Sequence, residues 1–135
     1  MQLSPYLSFK GQCEEAFAFY AQCLGAKVGE LFRYGGSPMA DQAPAEWGNK
    51  IMHGSLTLDG QTVMGADMVP NQYETPQGIS LSLHPKSAVE GERLFKALAE
   101  GGHVTVPYAK TFWAAGFGMV VDRYGIPWMV NCEAS

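Results

Sequence analysis

Phe117-Gly118-Met119-Val120-Val121-Asp122-Arg123-Tyr124-Gly125-Ile126-Pro127-Trp128-Met129-Val130-Asn131 decides how this chain folds. Two apolar runs flank the segment from Asp122 to Gly125. Glycine takes a positive φ without a Cβ clash, so the segment predicts the turn of a β-hairpin. Val, Met, Phe and Trp in the flanks suit a half-buried pleated surface. An earlier stretch, Ser55 to Asp67, repeats the pattern around Asp59-Gly60, a strong hairpin-turn dipeptide. One hairpin in each half of the chain suggests an internal duplication.

Upstream of each hairpin the order of elements is the same. Pro5 to Phe9 alternates like a strand, and Phe17, Tyr20 and Leu24 then recur at helical spacing with Ala16 on their face. Glu14 and Glu15 favour the positive end of that helix, and Gly25 stands where a helix stop belongs. Lys27 to Tyr34 reads as a strand. Gly35 to Lys50, broken by Pro38, Pro44 and several glycines, reads as a long loop. Asp67 to Gly78 is a linker. In the second half, Ile79 to His84 alternates cleanly, and Ser87 and Glu90 form a capping box. Their helix carries Leu94, Phe95 and Leu98 and stops at Gly101-Gly102, and His103 to Pro107 is a short strand. The pattern predicts an α+β chain in which one domain, 1–135, is built from two βαβββ modules, about 1–67 and 78–135.

At 135 residues, 47% of them apolar and 16% charged, the chain can bury a core. A net charge of −4 without a Lys/Arg cluster argues against nucleic acid as partner. No apolar run approaches a membrane span, and the first residues show no secretory signal pattern. Cys13, Cys23 and Cys132 lack metal-type spacing and read as reduced, inert thiols of a cytoplasmic protein. Asp67 and Asp122 read as turn-forming residues rather than acids.

Several motifs resemble one family. Phe19-Tyr20-x-x-x-Leu24-Gly25 is similar to the helix motif of the vicinal oxygen chelate superfamily, which includes glyoxalase I, extradiol dioxygenases, and fosfomycin and bleomycin resistance proteins. Pro5-Tyr6-Leu7-Ser8-Phe9-x-Gly11-x-Cys13-x-Glu15-Ala16, Ile51-Met52-His53-Gly54 and Thr111-Phe112-Trp113 narrow the likeness. With Asp122-x-x-Gly125-Ile126-x-Trp128-Met129-Val130-Asn131 they resemble the PhnB-like subfamily across the whole chain. The resemblance implies two modules forming a cupped mixed sheet with helices on its outer face (the glyoxalase/bleomycin-resistance fold), commonly as a homodimer. It also implies a divalent metal held by His, Glu or Gln. Carried over, the ligand positions fall near Ser4 to Tyr6, at Ser80 and at Met129, and none offers a typical ligand. No metal or other cofactor is therefore expected. Some PhnB-like sequences carry a demethylubiquinone methyltransferase label. This chain lacks a glycine-rich strand-to-helix turn for a nucleotide-like cofactor, so the label is not adopted.

The expected function is binding of a small organic molecule in a mostly apolar cup. Alternation puts His53, Ser55 and Thr57 on one strand face and Ser80, Ser82 and His84 on another, with Asn131 sharing the face of Met129. With Trp113 and Met119 these give the candidate ligand-binding set: His53, Ser55, Ser80, Ser82, His84, Trp113, Met119, Met129 and Asn131. No catalytic residue is assigned. His53 and His84 also fit a plainer role as hydrogen-bonded strand-end histidines, and His103 a surface one. A metal-dependent lyase, isomerase or transferase with shifted ligands, and a dimeric interaction module, are the alternatives.

Overall fold

A computed structural model describes residues 1–134 and divides the chain into two compact units, the first ending at Thr75 and the second beginning at Pro76. The first contains β1 (Tyr6–Phe9), α1 (Cys13–Leu24), β2 (Lys27–Arg33), β3 (Ile51–Leu58) and β4 (Gln61–Asp67). The second contains β5 (Leu81–Leu83), α2 (Ala88–Ala99), β6 (His103–Ala109), β7 (Ala114–Val121) and β8 (Pro127–Glu133). Each unit is a βαβββ module. The sheet orders are β1-β4-β3-β2 and β5-β8-β7-β6. The first strand of each module runs parallel to its last, and the remaining pairs are antiparallel. These are the two βαβββ modules that the repeated pattern predicts, with the mixed sheets that the family resemblance implies.

Local signals account for most boundaries. Gly25 ends α1 at φ 73°, and Asp59 and Gly60 turn the first hairpin at φ 48° and 79°. Gly125 closes the second hairpin at φ 85°, its N–H donating to Asp122 O at 3.0 Å. Ser87 Oγ accepts from the Glu90 N–H at 3.1 Å, so the capping residue works as predicted. The Glu90 carboxylate bonds to Arg93 one turn along.

Three boundaries depart from expectation. The ladder of β5 is confined to Leu81–Leu83, paired with Trp128 to Val130, and Ile79 is 71% exposed instead of packing under a helix. Gly78, at φ 81°, bends the chain just before it. The strand read as His103 to Pro107 is longer: β6 runs on to Ala109, and β7 already starts at Ala114. Its Ala and Gly residues carry little β signal, and cross-strand pairing decides. Two short 3-10 turns, Ala40–Gln42 and Ala45–Trp47, give the long loop structure, and Trp47 is buried beside Tyr34.

In each module one sheet face packs on the helix. Phe17 and Tyr20 of α1 are fully buried with Leu7, Phe9, Ile51 and Leu56. A side chain of this size contributes about 1.5–3 kcal/mol when taken out of water. A Cβ at Gly65 would meet the Leu7 carbonyl oxygen at 2.9 Å and the Phe17 ring at 3.1 Å, so glycine there lets the helix sit close, whereas one at Gly54 would first meet the end of the Leu31 side chain. In the second module Leu94, Phe95 and Leu98 of α2 are buried, as are Trp128, Val130 and Cys132 of β8. Phe95 lies over Gly118, and the Tyr108 hydroxyl reaches past Gly91 and Gly116 to donate to Ala88 O at 2.8 Å.

Candidate functional site

The faces turned away from the helices carry the candidate residues, so pairing register builds the site. In the first module Tyr6 stands opposite Met64, Met64 opposite Ser55, and Phe32 opposite His53. Gly54 and Leu56 take the helix side, so alternation leaves His53, Ser55 and Thr57 on the other. Tyr6 Oη and His53 Nδ1 share a hydrogen bond of 3.0 Å. Tyr6 and Phe32 lie about half exposed on either side of the imidazole, with ring centroids 5.6 and 6.3 Å from it. Burial pushes the Tyr6 phenol above its ordinary pKa, with the potential thiolate of Cys13 and phenolate of Tyr34 adding to the rise. The phenol therefore keeps its proton. With Tyr6 as donor, His53 Nδ1 is the acceptor of this bond.

In the second module one row crosses all four strands: Ser82 opposite Met129, Met129 opposite Met119, Met119 opposite Val106. The next row places Asn131 opposite Phe117 and Phe117 opposite Ala109. The Trp113 ring stands edge-on to Phe117 at 5.3 Å and to Phe112 at 4.8 Å. Trp113 is 48% exposed and Phe112 95%. Ser82 Oγ and His84 Nε2 are 3.1 Å apart, so these two exposed groups satisfy each other. Asn131 differs. Its Oδ1 is the one buried side-chain N or O atom among the described residues with no hydrogen-bond partner.

The candidate residues thus fall into two groups. His53 and Ser55 lie on the first sheet. Ser82, Met119, Met129 and Asn131 lie together on the second, with Trp113 joined to them through Phe117. Ser80 precedes β5, and His84 follows it. Tyr6, Phe32 and Phe117 belong to these faces but were not among the predicted site residues. The alternation of Tyr6 with buried Leu7 and Phe9 was the available signal for Tyr6. His103 is exposed at the start of β6, as expected.

The two aspartates are buried anchors. Asp67 Oδ1 accepts from the Gly11 and Cys13 N–H groups at 3.0 and 2.8 Å, and Oδ2 from Ile51 at 2.8 Å. Asp122 Oδ1 accepts from Tyr124 and Ile126 at 2.8 and 3.0 Å, and Oδ2 from Trp128 Nε1 at 2.8 Å. Asp122 fits the turn role read from the sequence. Asp67 goes beyond it, capping α1 from a distant strand. All three cysteines are free and buried. Burial, reinforced by the Asp67 and Glu14 charges, pushes the Cys13 thiol up to about 12, where it is no nucleophile at neutral pH.

These details bear on the groups that the fold family implies. Serine, a tyrosine that holds its proton and a thioether do not fit a divalent-metal triad. Among the described residues no three His, Cys, Asp or Glu side chains gather closely enough to hold an ion. The donors at the β1-to-α1 turn, where a nucleotide-like cofactor would need them, are taken by Asp67. No chemical step is derived through either group. Among the described residues no helix is long and apolar enough to cross a membrane.

Comparison with known proteins agrees with the fold. The sequence model of the family described as 3-demethylubiquinone-9 3-methyltransferase matches residues 1–131. Protein YjdN of Escherichia coli K12 is 37% identical, the match covering 97% of this chain and 95% of that one. The crystal structure of PA1353 from Pseudomonas aeruginosa is 48% identical, covers 100% and 99% of the two chains and superposes with a TM-score of 0.89. A PhnB protein from Bacillus cereus, named as a putative methyltransferase of the same description, shares the fold at 24% identity, TM-score 0.83 and 98% and 99% coverage. The fosfomycin resistance protein FosX from Listeria monocytogenes shares the fold at 8% identity and a TM-score of 0.68. The chain therefore belongs to the family that this sequence model describes, and it has the glyoxalase/bleomycin-resistance fold.

Proposed function

We propose that this protein binds a small organic molecule on its helix-free sheet faces, without the metal triad usual in the superfamily. The unpartnered Asn131 Oδ1 carries the reading. A buried acceptor left unpaired costs about 1–3 kcal/mol, which a core would avoid and a ligand can recover. Met119, Met129, Phe117 and Trp113 around it supply adaptable apolar surface. The methyltransferase in the family description is not part of the proposal. The three buried free thiols support a reducing, cytoplasmic setting, and a homodimer belongs to the same reading.

Thermal melts of wild type and Asn131→Leu against a fragment library test the proposal. The variant should be as stable as wild type or more so, and should lose ligand-induced shifts seen in wild type. A large loss of stability with unchanged binding would make Asn131 a structural residue instead. Elemental analysis after chelator-free purification should give well under one divalent ion per chain. A near-equimolar metal that disappears in His53→Leu would favour the metal-dependent enzyme. Sedimentation should give roughly twice the 14.6 kDa chain mass.

A further inference from the structure

We infer that the ligand of the second module is an apolar molecule carrying one N–H or O–H group, which it donates to Asn131 Oδ1. This rests on the binding function proposed above and adds the chemical class. An amide oxygen only accepts, so its missing partner is a donor. Its immediate neighbours along and across the strands supply none, and neither the Trp113 nor the His84 ring N–H bonds to it. Phe117 opposite it and Met129 two residues before it have no N–H or O–H, nor has Met119 beyond Met129. The Ser82 hydroxyl on the same sheet is hydrogen-bonded to His84 and not to Asn131.

The apolar part follows from the same rows. Met119 and Met129 face each other across β7 and β8, and thioether chains adapt to flat surfaces. Phe117, Trp113 and Phe112 continue them as an edge-to-face run. A molecule matching only this surface would leave Oδ1 unpaired. Sites built to receive a hydrogen bond discriminate strongly against isosteres that lack it.

Isothermal titration with indole and with benzothiophene, its donor-free isostere, tests the inference. Indole should bind wild type at least ten-fold more tightly. Asn131→Leu should bring the two within about two-fold, mainly by improving benzothiophene. Equal binding of both to wild type would overturn the donor requirement while leaving small-molecule binding intact, and this comparison needs no variant. If neither binds and no member of the fragment library shifts the melt, the binding function itself falls and takes the inference with it.

Discussion

The two modules share one topology, but polar bonds hold them together over very different chain distances. In the first, Asp67 joins β4 to the turn before α1 and to the start of β3. Tyr34 Oη donates to Asp67 O at 2.7 Å, Lys50 Nζ to Gly11 O at 2.8 Å, and Arg33 pairs with Glu14 across 19 residues. In the second, the three bonds described at the Asp122 carboxylate stay within six residues, Ser87 caps its own helix, and Glu90 pairs with Arg93. Two side-chain bonds described there reach farther, Tyr108 to Ala88 O across 20 residues and the exposed Arg123 to Glu100 O across 23. The connection between the second and third strands explains the contrast. It spans residues 34–50 in the first module and only 110–113 in the second. Ordering a long excursion costs more chain entropy, and the long-range bonds gather at its two ends. The lesson is that an insertion in a duplicated fold is kept by anchoring its roots, with buried Trp47 pinning its middle.

The sharpest way to break this comparison is to remove each aspartate. Asp67→Ala strands three buried backbone donors and should cost about 3–5 kcal/mol. Asp122→Ala should cost at least about 1 kcal/mol less, because backbone bonds from Gly125 and to Ile126 still hold its turn. Urea unfolding at neutral pH measures both, and equal losses would erase the distinction.

Alkaline titration probes the same latch. The Cys13 thiol titrates near 9 when unfolded and near 12 when folded, so the folded state keeps a proton that the unfolded state gives up. Stability from this group is complete below about pH 9 and is lost as pH rises towards 12, by a total on the order of 2–4 kcal/mol. Cys13→Ala should remove that part of the slope; an unchanged slope would assign it to other groups.

A packing test turns to the second module. A methyl at Gly116 runs into the Tyr108 hydroxyl. Gly116→Ala should cost about 1–3 kcal/mol, and clearly less in a Tyr108→Ala background, which also removes the ring carbons that the methyl meets. Gly54→Ala meets only yielding side-chain ends, Leu31 Cδ2 at 2.9 Å first, and should cost less than Gly116→Ala.

The smallest effect comes from the surface ion pairs. The Arg33 guanidinium holds the Glu14 carboxyl below its ordinary range, against a smaller opposing effect of burial. Its stabilisation is present above the ordinary carboxylate pKa and fades as pH falls through the lowered one. Arg33→Ala should lower the unfolding midpoint only slightly, and the difference from wild type should shrink in acid to what the Arg33 bond to Asn49 O contributes. Arg93→Ala, which breaks a pair confined to one helix turn, should have a still smaller effect on unfolding midpoints.

What the sequence revealed and what it hid follow the same local-versus-distant line. Gly25, Asp59-Gly60, Ser87 and Gly125 announce their roles because cap and turn chemistry is written within a few residues. Alternation likewise assigned Ser55, Met129 and Asn131 to the faces away from the helices. It could not report that Ile79 lies outside the ladder, because a periodic run does not say whether a partner strand reaches it. Nor could it find the bond between Tyr6 and His53, 47 residues apart, or the Asp67 latch, 54 residues from Cys13. The unpaired state of Asn131 Oδ1 is visible only when every neighbour has been placed.

The Asp67 latch also sets an order of events during synthesis. Residues 11 to 24 emerge from the ribosome long before residue 67, so α1 leaves with its first N–H groups uncapped and no acidic N-cap of its own at Gln12. Until β4 arrives, only marginal helix propensity holds it. The turn before the helix, the helix start and the first residue of β3 all bond to one carboxylate, so none of these three bonds can form before residue 67 is made. The second module, whose caps and turns are local, can begin to form as soon as each is made.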